Sequence, residues 1–490
     1  MGFANNSKNG LTAVAVFVAT AALVWFGWGL NPWWPLMWFA PLPALWFSLR
    51  SSWRVAGLVT FASWLAGNLI FFRYFHQLGQ SPIAWLANFG GLALLATVGV
   101  LLFRALVLRG AVWSGIVALA SLWVSADWLR YWISPHGTAA DLAYTQLKFL
   151  PFLQLASVTG PWGMSFVLLL VPAAAAAAWH LWDRNPEQAK RVTVVVGGLL
   201  LIILGFGQLR LNLARQQASV KVGLAVSDAP ENDLVASGPD APRLLQEYAA
   251  QAKALAARGA QVVVLPEKIA VVHDSDAATD DAFFQPIADA ANITIVVGQL
   301  HISPGANGTL RYNRAQVYSP HEATASYDKE HMLPPFESNL TVGTQHLTMP
   351  RDGALWGVAI CKDMDFTSMG RAYGSLGAGL LLVPAWDFNM DRTFHGHMEI
   401  MRGVEGGFSI VRAAKNGYLT VSDDRGRVLA ETRSDSASFA TLLADVPVGH
   451  EHTLYQTLGD WFAWLAVAIL AVVIARSLLL LRRKPGVSSR

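Results

Sequence analysis

Apolar runs long enough to cross a lipid bilayer dominate the two ends of this chain. Seven lie at 11–30, 33–49, 55–72, 83–108, 111–133, 160–182 and 191–209, and an eighth at 458–480. About 20 apolar residues in helical form span the hydrocarbon core of a membrane, so each run predicts one crossing. The first run lacks the small-residue cleavage site of a signal peptide and reads as a retained span. From about 217 to 450 the pattern changes. Short β-rich runs (220–226, 262–267, 293–300, 354–361, 380–386, 408–414 and 418–424) alternate with helical stretches at 241–257, 281–291, 368–377 and 394–406. Strands that are almost continuously apolar belong to sheets covered on both faces, and their alternation with helices predicts a layered α/β domain. The expected organisation is a multi-pass helical bundle of about eight spans over 1–212, an α/β domain over 213–452, and a last span with a basic tail over 453–490.

Composition agrees with this division. Hydrophobic residues make up 53% of the 490 and charged residues 14%, against about a quarter charged in soluble domains. Disorder and a coiled coil are excluded, and a net charge of +3 is too small to recruit nucleic acid. The 20 Trp and 24 Phe suit two long membrane–water boundaries. An alternating path collects Lys8, Arg50, Arg54, Arg109, Arg184, Lys190, Arg191, Arg482, Arg483, Lys484 and Arg490 on one side, leaving little more than Arg73, Arg130 and Lys148 on the other. Positively charged loops stay cytoplasmic, so both termini are expected inside and the α/β domain outside. Arg104 is expected to snorkel toward the inner face. Asp127 and Arg130 are spaced to pair on one helix face.

The single Cys excludes an internal disulfide and a Cys-based zinc site. Cys361 ends the run ALWGVAI and precedes the polar KDMDF, a strand end from which a thiol can face a cleft beside backbone N–H groups. Glu267 closes VVVLP, and Lys329 follows the strand expected at 311–318. A thiol nucleophile needs a base for its proton and a cation to lower its pKa, roles that a Glu and a Lys can fill. The plainer readings are a buried hydrophobic Cys, a helix-capping Glu and a surface Lys. His395, His397 and Glu399 in FHGHMEI do not make a metal site, because i and i+2 on a helix diverge. No metal or cofactor is expected.

LPEK at Glu267, YDKEHMLPPFE at Lys329 and Glu337, AICKDMDF at Cys361 and RGVEGGFSIVRAAKNGY from Arg402 resemble, in order and spacing, the signatures of the nitrilase (carbon–nitrogen hydrolase) superfamily. The resemblance implies an α-β-β-α sandwich and Glu267, Lys329 and Cys361 as catalytic triad. Seven spans, such a domain and an eighth span together resemble the apolipoprotein N-acyltransferase family. ADWLRYW at 126–132, AYTQ at 143–146 and LQLASVTGPWGMSF at 153–166 are similar to that family's fifth and sixth spans. Membership implies a bacterial inner-membrane enzyme with its catalytic domain on the periplasmic side. Its donor would be a phospholipid and its acceptor a diacylglyceryl lipoprotein. Glu337, Lys362, Asp363, Trp386 and His395 would lie on the substrate or oxyanion side. The chain is a divergent member. Phe336 is followed directly by Glu337, Cys361-Lys362-Asp363 stands where the family shows Cys-Tyr-Glu, and PAWDF at 384–388 is closer to soluble amidases. The competing expectation is a membrane-anchored amidase with water as acceptor.

Overall fold

Among the described residues, seven helices are long and apolar enough to cross a membrane: Gly10–Gly27, Trp53–Gln77, Pro82–Leu108, Val112–Ile133, Ala156–Leu181, Pro186–Asn212 and Trp461–Leu480. The computed structural model describes residues 2–213, 218–230, 234–306 and 308–482. Arg483, Lys484 and Arg490 of the basic tail lie outside the described residues, as do the side chains of Lys8 and Arg482.

The chain forms two units. The first comprises the described residues of Met1–Trp132, Ala140–Leu211 and Asp460–Arg490. The span expected at 33–49 is not one helix. It breaks into a 3-10 turn, Trp34–Trp38, and a short helix, Leu42–Ser48, because Pro35, Pro41 and Pro43 each remove a backbone donor. It still recrosses the unit. A Cβ on Gly67 would touch Val24, and Trp28 packs edge-on against Trp64 and Phe71. The C-terminal ends of the first two long helices therefore lie at one level, and the chain between them has to return. Arg104 does more than snorkel: its guanidinium donates to the carbonyls of Ser48 and Ser51, both at 2.8 Å, satisfying the open end of the short helix. Asp127 and Arg130 pair at 3.3 Å. Ala156–Leu181 is the most deeply buried span. The last span is tied to it by Trp162 Nε1 donating to Asp460 (2.9 Å) and Trp461 Nε1 donating to the Val158 carbonyl (2.8 Å).

The second unit comprises the described residues of Ile133–Ala139 and Asn212–Gly459. Its strands are β1 (Ser219–Val226), β2 (Val262–Val264), β3 (Val271–His273), β4 (Thr294–Gly305), β5 (Gly308–Tyr318), β6 (Ala325–Asp328), β7 (Leu347–Arg351), β8 (Ala354–Val358), β9 (Ala378–Trp386), β10 (Ser409–Lys415), β11 (Tyr418–Ser422), β12 (Val428–Arg433) and β13 (Ala440–Pro447). One sheet runs β13-β1-β2-β4-β5-β6, with β3 also on β4, and the other β12-β11-β10-β9-β8-β7. The helices are α1 (Asp240–Ala257), α2 (Ala277–Ala291), α3 (Thr367–Leu376) and α4 (Arg392–Gly406).

Side-chain alternation makes four layers of these elements. Val262 and Val264 face the other sheet, where they meet Val358, Leu380, Leu382 and Val411. Val263 and Leu265 face outward onto α1 and α2, packing with Leu245, Tyr248 and Phe284. Leu381 and Val383 do the same on the far side, with Met369 and Tyr373 of α3. The result is an α-β-β-α sandwich. Leu382 is fully buried between the sheets, so Leu382→Ala is expected to cost about 2–5 kcal/mol, read as a lowered unfolding midpoint of the purified protein.

Candidate active site

Glu267, Lys329 and Cys361 each stand just past the C-terminal end of a strand. Glu267 follows β2 at a turn that needs unusual room: a Cβ on Gly298 of neighbouring β4 would lie 2.2 Å from the Pro266 carbonyl and 2.6 Å from Glu267 Cα. Only glycine lets the two backbones approach so closely. Lys329 follows β6, Cys361 follows β8 and Trp386 ends β9. Carboxylate and ammonium thus come from one sheet and the thiol from the other.

Lys329 Nζ donates to Glu267 Oε1 and to Glu337 Oε2, each at 2.9 Å, and all three side chains are about 2% exposed. Asn313 donates to both carboxylates. Glu337 also accepts from Lys268 Nζ at 2.6 Å and from the Leu333 N–H at 2.9 Å. Burial opposes the charge on Lys329, but Glu267 and Glu337 hold it protonated far above the ordinary lysine range. Burial likewise works against Glu337, yet Lys329 and Lys268 keep its carboxyl well below the usual range. The second oxygen of Glu267, Oε2, is buried and accepts no hydrogen bond. It is available to a proton.

Cys361 adopts φ 42°, a left-handed conformation that costs a non-glycine residue of order 1–3 kcal/mol and persists only where the surroundings over-determine it. Here Asp363 supplies the constraint. Its carboxylate accepts from Tyr327 Oη (2.8 Å) and from the N–H groups of Glu330 (3.1 Å), His331 (2.8 Å) and Ile360 (3.0 Å). It joins the lysine segment to the nucleophile turn, and that carboxylate is fully engaged in doing so. The thiol donates to the Trp386 carbonyl at 3.6 Å. Burial and the charge of Glu267 push this thiol well above its ordinary pKa, and Lys329 and Arg412 offset them only in part. Lys329 thus acts in the direction its residue type suggests, lowering the thiol pKa, while burial and Glu267 outweigh it.

Arg412 on β10 grips Asp387 with both terminal nitrogens (2.9 and 2.6 Å) and Glu399 through Nε (2.9 Å), fixing the residue after Trp386. The Trp386 ring lies 4.1 Å from Lys415 Nζ and 5.5 Å from Lys268 Nζ. His395 on α4 binds Asp391 through Nε2 at 3.1 Å and faces Asp365 through Nδ1 at 3.8 Å, while His397 turns to Glu431 at 2.8 Å. Burial opposes a charge on His395, but Asp391 and Asp365 raise its pKa to about 10. A raised folded pKa stabilises the fold fully below the unfolded value near 6.5 and loses that contribution as pH rises toward 10. The unfolding midpoint of the wild type is expected to fall relative to that of His395→Gln across this window.

The structure brings Glu267, Lys329, Glu337, Cys361, Lys362, Asp363 and Trp386 to one end of the sandwich, with His395 joined through Asp365. Sequence reasoning missed Asn313, Lys268 and Arg412. Asn313 left a signal: it shares the β5 face of Ala315 and Val317, both buried between the sheets, so it is a polar residue at a core position.

A thiol, a carboxylate and an ammonium on strand ends of a two-sheet α/β sandwich, in a chain with membrane-length helices, define a carbon–nitrogen hydrolase domain on a multi-pass membrane protein. Residues 234–452 match the carbon–nitrogen hydrolase profile and residues 20–174 that of the apolipoprotein N-acyltransferase N-terminal domain. The chain thus carries both profiles, and the curated relatives it resembles over most of its length are apolipoprotein N-acyltransferases. It is 26% identical over 484 residues to an apolipoprotein N-acyltransferase of Geobacter metallireducens, covering 92% of each chain. With that of Bradyrhizobium diazoefficiens it is 26% identical over 451 residues, covering 82% of this chain and 81% of the relative. A crystal structure of an amidase from Nesterenkonia sp. covers 50% of this chain and 95% of its own, at 22% identity and a TM-score of 0.40.

Proposed function

We propose that this enzyme transfers a fatty acyl group from a phospholipid, through a thioester on Cys361, to the N-terminal α-amino group of a diacylglyceryl apolipoprotein. As Sγ bonds to the ester carbonyl carbon, its proton passes to Glu267. The carbonyl electron pair moves onto oxygen, where the Lys329 ammonium and the Lys362 N–H stabilise it. Collapse of this intermediate breaks the bond to the glycerol oxygen, which takes the proton from Glu267 and leaves as lysophospholipid. The α-amine then attacks the thioester and gives its proton to Glu267; the C–S bond breaks, and sulfur recovers that proton. Two half-reactions through one acyl-enzyme give ping-pong kinetics.

The observation that carries this reading is a thiol past the end of β8 and, past the end of β2 at the same end of the sandwich, a buried carboxylate that has one oxygen on Lys329 and the other unbonded. Glu337 serves to hold Lys329 and Lys268, and Trp386 and His395 to shape the substrate side. The helices give a lipid substrate physical sense, since lifting each buried CH₂ of an acyl chain into water costs about 0.8 kcal/mol. Both termini in the cytoplasm of a bacterial inner membrane and the catalytic domain on the periplasmic side follow from the basic loops at Arg50, Arg54, Arg109, Arg184, Lys190 and Arg191; a reporter fused behind the last span and active only in the cytoplasm tests this. Mass spectrometry of the protein after incubation with phospholipid tests the chemistry. A mass increase equal to a fatty acyl group on Cys361 is expected. No adduct, with ammonia released from an amide, would replace this reading by amide hydrolysis with water as acceptor.

A further inference from the structure

Residues Ile133–Ala139 follow an apolar helix in sequence yet belong to the second unit, where they lie against the turn that carries the nucleophile. Thr138 donates twice to the carbonyl of Asp365, through N–H at 3.0 Å and through Oγ1 at 2.7 Å. Gly137 between them has φ 53°, and a Cβ there would stand 2.6 Å from the same carbonyl oxygen, so only glycine permits the approach. His136 Nδ1 lies 3.3 Å from Lys362 Nζ, whose ammonium is also bound by Asp365 Oδ2 at 3.0 Å. Lys362, Asp365 and Thr138 are all buried.

These contacts complete a two-sided clamp on Cys361–Asp365, a single 3-10 turn. Asp363 holds its inner side through Tyr327, Glu330, His331 and Ile360. The outer side is held by His136 on Lys362 and by Thr138 on Asp365. The N–H of Lys362 lies in the first turn of this helix and has no partner within the turn. Its direction is set by whatever fixes the residues around it. We propose that Ile133–Ala139 is a positioning element for the oxyanion donor, with His136 and Thr138 aiming the Lys362 N–H at the carbonyl that Cys361 attacks. The inference rests on the thiol-acylation step proposed above. It assigns no bond-making role to His136.

Two reactions of Cys361 separate this role from a merely structural one. Acylation by p-nitrophenyl butyrate needs the thiol and the oxyanion donors: a C–S bond forms, charge builds on the carbonyl oxygen, and p-nitrophenolate leaves. Alkylation by iodoacetamide needs the thiol alone. In the full-length protein, His136→Ala and Thr138→Val are expected to slow the p-nitrophenolate burst by about 10- to 100-fold, the scale of a donor misplaced by about 1 Å. Alkylation of Cys361 should stay within about twofold of wild type, which also reports a folded turn. His136→Gln, which keeps an acceptor for Lys362, is expected to restore most of the burst. Equal bursts in wild type and His136→Ala overturn the proposal, as does a parallel fall in burst and alkylation. Neither assay contains phospholipid, so a missing phospholipid adduct on Cys361 would count against the acyl donor proposed above and leave this result standing.

Discussion

Cys361→Ala is expected to abolish acyl transfer, with a loss on the order of 10⁴-fold or more, because no other side chain in the site can carry the acyl group between the two half-reactions. The mass adduct after incubation with phospholipid should vanish with it. The variant should fold, since the left-handed backbone at 361 is imposed by the Asp363 bonds to Ile360, Glu330 and His331, which the substitution leaves in place, and its unfolding midpoint should barely move. Retained transfer in a folded Cys361→Ala protein would end the thioester mechanism. Cys361→Ser tests the same point with an oxygen in place of sulfur. A hydroxyl is far less acidic than a thiol, and turnover should again be lost.

Glu267→Gln is expected to separate two properties that usually move together. In the proposed mechanism the carboxylate accepts the thiol proton, and through its charge it also raises the thiol pKa. Glutamine removes the acceptor, so acyl transfer should fall about 10²- to 10⁴-fold. The same change removes a negative charge, so the thiolate forms at lower pH and the midpoint of iodoacetamide alkylation should move downward. A more reactive sulfur in a slower enzyme is the diagnostic outcome. If alkylation and transfer both fall, Glu267 is not the group that keeps the thiol protonated. Lys329→Met should do the opposite to the thiol, raising its pKa further. It also leaves Glu267 and Glu337 without their shared buried counter-charge, a loss of about 3–5 kcal/mol in stability, read as a lower unfolding midpoint.

The layered domain was legible because strands covered on both faces leave continuous apolar runs: β1, β9 and β10 fall within two residues of where VKVGLAV, LLLVPAW and FSIVRAA place them. The short and half-exposed strands β3, β6, β7 and β12 left no such run. At 33–49 the apolar run does not form one helix, because Pro35, Pro41 and Pro43 set the backbone geometry there. Glu267 and Cys361 stood out because each closes an apolar run, and Lys329 through the motif YDKEHMLPPFE. The partners that tune them were hidden for a different reason. Lys268 and His136 sit in ordinary surroundings along the chain, whereas Arg412 interrupts the apolar run FSIVRAA and carried a signal that was passed over; folding alone brings His136 to Lys362 across more than two hundred residues.

Because the base and the sulfur stand on opposing sheets, the separation a proton must cover is set by the thickness of the valine and leucine slab between them, not by any bond along the chain. That slab works as a spacer gauge. Adding a methylene to Val264 or Val358 would widen it, and hydrostatic compression would thin it, so turnover should respond to squeezing and swelling of this oily layer.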